Sequence, residues 1–230
     1  MTVQNAPYRE YKLKDESLFR ITDKNTGAVS VGGDQEWYGR VWQRLSGCGP
    51  TAASNIFKYL SASCLPAGTI RTSDTRDDFR ALMKEIWRFV TPTRHGVNST
   101  DLFSRGCIGF AESRSFRVAC ESLDIPAISS SSDCSNDIKR PTLAQIVSFI
   151  ARALDSDIPV AFLSLDSGSE KAIDHWHWIT VIAMHGTEDD MKIDFLDAGT
   201  IKHASLSGWY RTTKEGGGFV SVMPEPAMAE

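Results

Sequence analysis

The sequence has no apolar run long enough to cross a bilayer, and residues 1–10 are polar, without the hydrophobic stretch of a secretory signal. Lysine and arginine form no cluster, and the formal net charge is -4 at pH 7. A weakly acidic chain of this kind has no basic patch, so neither nucleic acid nor an anionic membrane is expected as its main partner. We therefore expect a soluble, cytoplasmic protein.

Cysteine is scarce and is never arranged as a Cys-x-x-Cys pair. An odd number of scattered cysteines argues against a disulfide scaffold and against a structural zinc site, and it is typical of reduced thiols. The five are Cys48, Cys64, Cys107, Cys120 and Cys134. No cofactor is predicted.

The chain is long enough for one sizeable core, since 41% of its 230 residues are hydrophobic. We predict a single domain over residues 1–230 and find no internal repeat. Its predicted segments are an N-terminal β decoration (1–40), a mainly helical lobe (41–127), a serine-rich connector (128–141), a helix followed by an antiparallel sheet (142–223), and a tail (224–230).

Hydrophobic spacing and turn residues predict the secondary structure of these segments. Near the start, the runs 18–22 and 28–31 flank the turn Lys24–Gly27, which favours a hairpin. Helices are predicted at 74–89, 99–103, 110–123 and, after the cap Thr142, up to about 154. Short β-rich runs follow at 160–165, 177–184, 191–196 and 219–223. These patterns predict an α+β protein with a helical first half and a sheet in the second.

A further helix is predicted from about Pro50 to Leu60, where apolar residues recur at helical spacing. The apolar positions form one side, which we expect to face the core: Ala52, Ala53, Ile56, Phe57 and Leu60. The polar residues Ser54, Asn55 and Lys58 fall on the other side, which we expect to face water.

Cys48 lies at the start of this helix. Gly47 and Gly49 flank it with little side-chain bulk, and Pro50 suits a first helical turn, where its missing N–H costs nothing. Unpaired N–H groups and the positive end of the helix dipole favour a thiolate at such a position. A lone cysteine is, however, often only a small buried hydrophobic residue.

Gln43 favours the reactive interpretation of Cys48. Four residues separate them, so the Gln43 amide can turn toward a carbonyl that the sulfur attacks. An oxyanion hole needs such a donor, usually beside the backbone N–H of the nucleophile.

The segment Gln43-x4-Cys48-Gly49-Pro50, followed by a helix, resembles the active-site segment of papain-like cysteine peptidases. It is most similar to the bacteriocin-processing branch, which cleaves double-glycine leaders. The resemblance implies a papain-like fold, in which a helical N-terminal lobe carries the nucleophile at the start of a central helix. An antiparallel β-sheet lobe then carries the other catalytic groups, and residues 216–222 resemble the closing strand of the family.

A thiolate needs a partner that titrates near neutral pH, and histidine is the usual one. His177 heads the apolar run 178–183, and it matches the family's catalytic histidine at the head of a hydrophobic strand. His175 is the rival, because it lies two residues earlier and on the same predicted face. The two imidazoles are alternatively half of a metal site, although no third ligand has a convincing spacing. We therefore predict no metal.

Asp197 is predicted to orient the imidazole. It ends the run 191–196 and follows His177 by twenty residues, which is enough for a strand, a turn and a neighbouring antiparallel strand. The family carries Asp or Asn at this point. By itself, Asp197 is also a good turn residue, and Asp194 and Asp174 are weaker alternatives.

Three residues are predicted to contact the substrate: Gly47, Trp176 and Trp178. The two tryptophans either roof the imidazole and line the cleft or simply belong to the core.

Together these residues predict a thiol hydrolase that cleaves a peptide or amide bond through a Cys48–His177–Asp197 triad and a thioester intermediate. Two alternatives stay open. An acyltransferase or transpeptidase would use the same triad, and a non-catalytic binding or scaffold protein would keep the fold with an inactive site.

Overall fold

The computed structural model describes residues 7–128 and 139–225. Most of the predicted serine-rich connector, with Cys134, lies outside these residues. The strands are β1 Arg9–Lys12, β2 Arg20–Thr22, β3 Val29–Val31, β4 Val118–Ile125, β5 Val160–Ser164, β6 His177–Gly186, β7 Met191–Asp197, β8 Thr200–Ser205 and β9 Gly217–Pro224.

Within the described residues, seven strands form one antiparallel sheet in the order β4-β9-β5-β6-β7-β8, and β1 pairs with the far end of β6. The two remaining strands, β2 and β3, pair with each other as the predicted hairpin. The strand runs predicted in the second half are confirmed as β5, β6, β7 and β9.

The helices are α1 Val41–Ser46, α2 Cys48–Ser63, α3 Arg76–Ile86, α4 Thr100–Ser113, α5 Leu143–Asp155 and α6 Leu206–Thr212. The predicted start of α5 is confirmed: the Thr142 hydroxyl accepts from the Gln145 N–H, and the Gln145 side chain accepts from the Thr142 N–H. None of the helices in the described ranges combines the length and apolar character that crossing a bilayer requires.

β6 lies at the centre of this arrangement, with β5 and β1 along one edge and β7 along the other. All of its residues from Trp178 to Met184 are buried. Because successive side chains of a strand point to opposite faces, this run is covered on both sides. The helices α2 and α5 both pack against β5 and β6. The fold is thus mixed, with helices packed on an antiparallel sheet, which confirms the α+β class.

The helix predicted at 110–123 is wrong over its second half. The short helix predicted at 99–103 is the beginning of α4, which continues to Ser113, and Ser115 then takes a left-handed backbone conformation with φ 59°. The chain continues as β4, which pairs with β9 along its whole length. The first half is therefore not helical throughout, and β8 and α6 were not predicted.

The prediction that the polar side of α2 faces water is also wrong. Ser54, Asn55 and Lys58 are 0%, 2% and 3% exposed, because α3 and the 3-10 turn Glu16–Phe19 pack against α2. Each of the three has a partner: the Ser54 hydroxyl bonds the Pro50 carbonyl at 2.7 Å, and Lys58 pairs with Asp74 at 2.7 Å. The polar side chains of this helix are therefore buried, and hydrogen bonds or an ion pair satisfy them.

Asn55 ties three parts of the molecule together. Its Oδ1 accepts from the Gly33 N–H at 2.8 Å, and its Nδ2 donates to the Thr180 hydroxyl of β6 at 3.3 Å. The helix is thereby joined both to the loop that follows β3 and to the central strand.

We predict that Asn55→Ala lowers the free energy of unfolding by about 2–4 kcal/mol, because the Gly33 N–H stays buried without its acceptor. Asn25→Ala, in the exposed turn of the hairpin, is the matched control and should change it by less than about 0.5 kcal/mol. Urea unfolding followed by circular dichroism measures both, and equal stabilities of the two variants would contradict the role given to Asn55.

Candidate active site

Cys48 is the first residue of α2, and Gly47 joins that helix to α1. A β-carbon on Gly47 would lie 2.4 Å from the Gln43 carbonyl oxygen and 2.7 Å from the Tyr38 ring, so only glycine fits between them. None of the described side chains caps α2, and the N–H of Thr51 bonds the carbonyl of Gly47 at 2.9 Å. The sulfur therefore lies at an uncapped helix N-terminus, where the helix dipole favours negative charge.

His177 and Asp197 lie side by side at one end of the sheet. His177 begins β6, Asp197 ends β7, and these strands are antiparallel neighbours. The imidazole Nε2 is 2.8 Å from Asp197 Oδ1. Ala198 and Gly199 both have positive φ, 49° and 72°, as a tight two-residue hairpin requires, so Asp197 is held at the turn.

Lys202 of β8 holds the other oxygen of the same carboxylate. Its Nζ lies 2.7 Å from Asp197 Oδ2. The side chains of His177 and Asp197 are each only 12% exposed, whereas that of Lys202 is 36% exposed. Asp197 is thus fixed at both oxygens and cannot rotate away from the imidazole.

Cys48 and Asp197 both act on the ionisation of His177. Burial by itself would lower the pKa of this imidazole, but hydrogen bonding to Asp197 and Cys48 and the charge of both groups raise the pKa to about 10. Burial would raise the pKa of Asp197, yet His177 and Lys202 lower that pKa to about 2. At neutral pH the ring is therefore protonated beside an ionised carboxylate.

Within the described part of the chain, the sulfur of Cys48 has one hydrogen-bond contact, with the carbonyl oxygen of Trp176 at 4.0 Å. This distance is at the long limit for a thiol donor, so the contact is weak. His177 lines the same cleft as the sulfur, and Cys48 is one of the two groups that raise the pKa of its imidazole.

Cys48, His177 and Asp197 line one cleft of about 190 Å³. The three predicted members of the triad thus come together from the start of α2, the start of β6 and the end of β7. Lys202 and Trp178 also line this cleft.

Gln43 is the side chain predicted to face a carbonyl that the sulfur attacks. It lies in α1, and it is not among the described residues that line the cleft, whereas Gln35 is. Gln35 begins a 3-10 turn, Gln35–Trp37, that is capped by Asp34. Its Oε1 is buried and has no hydrogen-bond partner within the described part of the chain. Gln35 is thus a residue that lines the cleft and whose side-chain oxygen makes no hydrogen bond within the described part of the chain.

Sequence reasoning missed Gln35 because it searched only the residues directly before Cys48. The available signal was the turn Gly32-Gly33-Asp34 after a strand, which brings the following residue back toward the helix. Its placement depends on the bond from the Gly33 N–H to Asn55, which no sequence pattern displays.

The three residues predicted to contact the substrate differ in how exposed they are. Gly47 is buried behind the helix start and Trp178, 2% exposed, stacks on Phe103 as part of the core while one edge reaches the cleft. Trp176 is 53% exposed and takes a positive φ of 53°, which is unusual for a bulky residue. Of the three, Trp176 has the most surface free for a ligand.

His175 does not form a pair with His177. Its Nε2 lies 3.1 Å from the Ser167 hydroxyl and its Nδ1 lies 3.7 Å from Asp166, in the loop before β6. The alternative carboxylate Asp194 bonds a different imidazole, His203, at 2.6 Å.

Among the described residues, Asp174, His177 and Asp197 form the group that could hold a metal, and their ligand atoms lie within 4.8 Å of one another. Asp197 already bonds His177 with one oxygen and Lys202 with the other. A cation would displace both partners, and the Lys202 ammonium would repel it. These contacts favour a hydrogen-bonded triad over a metal centre.

No known family model matches this chain, and no curated protein matches it. The chemistry therefore has to be inferred from the side chains themselves. A thiol at a helix N-terminus, a protonated imidazole and a buried carboxylate are the groups that nucleophilic catalysis requires.

We predict that Asp197→Asn lowers the pKa of His177 by about 1–3 units, because burial then acts without the carboxylate that opposes it. Histidine-selective ¹⁵N NMR titration measures this directly. Asp194→Asn on the same strand is the control and should leave the His177 titration in place. An unchanged His177 titration in Asp197→Asn would refute the pairing.

Proposed function

We propose that this protein is a papain-like cysteine peptidase, a thiol hydrolase that cleaves a peptide or amide bond. The observation that carries the proposal is the ionised pair of His177 and Asp197 beside the Cys48 sulfur in one cleft. The arrangement of α2 on β5 and β6, with the nucleophile on the helix and its partners on the sheet, supports the papain-like form.

The first half of the reaction forms a thioester. The Cys48 sulfur, having given its proton to His177, attacks the substrate carbonyl carbon, and an S–C bond forms while the carbonyl oxygen becomes an oxyanion. The C–N bond then breaks, and the imidazolium donates its proton to the departing amine. Asp197 accepts a hydrogen bond from the far nitrogen throughout, and so keeps the ring in place.

The second half returns the enzyme to its starting state. Water gives a proton to the imidazole as its oxygen attacks the thioester carbon, and collapse of the intermediate releases the carboxylic acid and the sulfur. No cofactor takes part in either half, because every proton moves between His177, the sulfur, the amine and water.

Two groups are suited to hold the oxyanion. The Cys48 N–H lies at the helix start, and Gln35 is one of the residues that line the cleft. We assign the side-chain donor to Gln35 in place of Gln43, since only the former lines the cleft among the described residues.

Peptide-library digestion followed by mass spectrometry tests the activity. Cys48→Ser should lower the cleavage rate by roughly 10³-fold or more, because the nucleophile is lost. Cys64→Ser is the matched control, since Cys64 is exposed and lies at the opposite end of α2, and it should cleave as the wild type does. Products that carry an added amine in place of water would show acyl transfer, and equal rates for the two variants would leave only the scaffold interpretation.

The oxyanion assignment has its own test. Gln35→Ala should lower kcat by about 10²-fold to 10³-fold with little change in KM, because the interaction forms in the transition state. Gln43→Ala should leave kcat within about twofold, as expected for a residue without a transition-state contact. The reverse pattern would restore Gln43 as the donor.

A further inference from the structure

Lys202 is the one lysine or arginine that lines the cleft of the triad within the described residues. Four carboxylates line the same cleft: Asp34, Glu36, Asp174 and Asp197. An oxygen of Asp174 lies within 4.8 Å of the ligand atoms of both His177 and Asp197. Neighbouring carboxylates favour protonation of Asp197, whereas a cation favours its ionised form. Lys202 is therefore the group of this cleft, besides the imidazolium, that keeps Asp197 charged.

The pairing of β7 with β8 brings Lys202 to this carboxylate. Asp197 is opposite Thr200 and Phe195 is opposite Lys202, so Lys202 lies diagonally across from Asp197 on the same face of the sheet. The Nζ of Lys202 reaches Asp197 Oδ2 at 2.7 Å. The tight turn at 198–199 fixes the register of the two strands. The ion pair thus forms whenever the hairpin forms.

The two oxygens of Asp197 have separate partners. Oδ1 contacts the imidazole Nε2 at 2.8 Å and Oδ2 contacts Lys202, and in residues 7–128 and 139–225 no other donor bonds this carboxylate. With one partner, the carboxylate could still turn about its Cβ–Cγ bond. With two partners its plane is fixed, and so is the direction from which the ring is held. The ring then keeps Nε2 on Asp197 and leaves Nδ1 for the side of Cys48.

The two members of the ion pair differ in burial. The side chain of Asp197 is 12% exposed and that of Lys202 is 36% exposed. A buried carboxylate is costly unless it is paired, and an ammonium that stays partly hydrated supplies the opposite charge at a smaller cost. Burial raises the pKa of Asp197, but His177 and Lys202 lower it to about 2. Lys202 thus helps this carboxylate to stay ionised where burial alone would neutralise it.

We infer that Lys202 is a positioning residue of the proposed reaction, which acts through Asp197 by fixing the carboxylate against the ring of His177. This inference deepens the proposed function and rests on it. The active site then contains four side chains of alternating charge, namely the sulfur anion, the imidazolium, the carboxylate and the ammonium. Loss of the last member releases the carboxylate, and the ring no longer keeps its place beside the sulfur.

Alkylation of Cys48 by iodoacetamide tests this inference without requiring peptide cleavage. The sulfur forms a bond to the methylene carbon and iodide leaves, so the rate follows the amount of thiolate. At about pH 5 the thiolate depends on the imidazolium, whereas at about pH 10 an unassisted thiol ionises. The ratio of the rate at pH 5 to the rate at pH 10 therefore measures the pair of sulfur and ring, and differences in access cancel. Lys202→Met should lower this ratio by about tenfold, because the ring is no longer held.

Two further variants separate the charge of Lys202 from general effects. Lys202→Arg keeps a cation beside Asp197 and should keep the ratio within about threefold of the wild type. Lys192→Met removes an exposed lysine from the other end of β7 and should keep the wild-type ratio. In peptide cleavage, Lys202→Met should lower kcat by about tenfold with KM within about twofold.

Titration of the aspartate carboxyl carbons by ¹³C NMR gives an independent readout. In Lys202→Met the pKa of Asp197 should rise from about 2 toward 3.8, because the carboxylate loses the cation that lies 2.7 Å from it. In Lys192→Met it should stay at the wild-type value.

The outcomes distinguish this inference from the proposed function. An unchanged alkylation ratio in Lys202→Met, or an equal loss in Lys192→Met, would overturn the positioning role and leave the peptidase proposal standing. A loss that Lys202→Arg does not restore would also overturn it. Fast alkylation of the wild type at pH 5 without cleavage of any peptide would contradict the peptidase proposal, while the ratios would still decide the role of Lys202. If circular dichroism shows that Lys202→Met does not fold, Lys202→Gln takes its place and the same ratios decide.

Discussion

The packing of α2 against β6 is the contact on which the rest of the structure depends. It places the first residue of the helix, Cys48, beside the first residue of the strand, His177. Asn55 ties the two elements through the Thr180 hydroxyl, about two turns after the start of the helix. Gly49 leaves room for the Val97 side chain beside the helix start, because a β-carbon there would lie 2.9 Å from Val97.

The site combines this packing with opposed electrostatic effects. Burial alone would neutralise both the imidazole and the carboxylate, since a low-dielectric environment disfavours charge. Their hydrogen bond overcomes burial, and each group keeps the other ionised. The sheet positions these groups. Antiparallel pairing of β6 with β7 sets His177 and Asp197 side by side, and pairing of β7 with β8 brings Lys202 to the second carboxylate oxygen of Asp197.

Local signals in the sequence were sufficient for several parts of the fold. The cap Thr142 predicted the start of α5, and continuous apolar runs predicted the buried strands β5 and β6. His177 and Asp197 could be placed together because a strand, a turn and a strand leave few ways to arrange twenty residues. These features depend on residues close to one another in the chain.

Features set by distant contacts could not be read in this way. The strand β4 has a helix-like spacing of apolar residues and becomes a strand only because β9 pairs with it. The polar side of α2 resembles a solvated face until α3 covers it. Gln35 reaches the cleft through a loop that Asn55 holds from the helix. In each case the deciding partner lies far away in sequence.

The double anchoring of Asp197 has a consequence for the behaviour of the folded state across pH. Its pKa, lowered from 3.8 to about 2, means that this carboxylate stabilises the fold above pH 3.8 and loses that contribution as the pH falls through about 2. The pKa of His177, raised from 6.5 to about 10, gives a contribution that is complete below pH 6.5 and is lost as the pH rises through about 10. Both contributions are complete between pH 3.8 and pH 6.5, so the residues of the triad stabilise the protein most in mildly acidic solution.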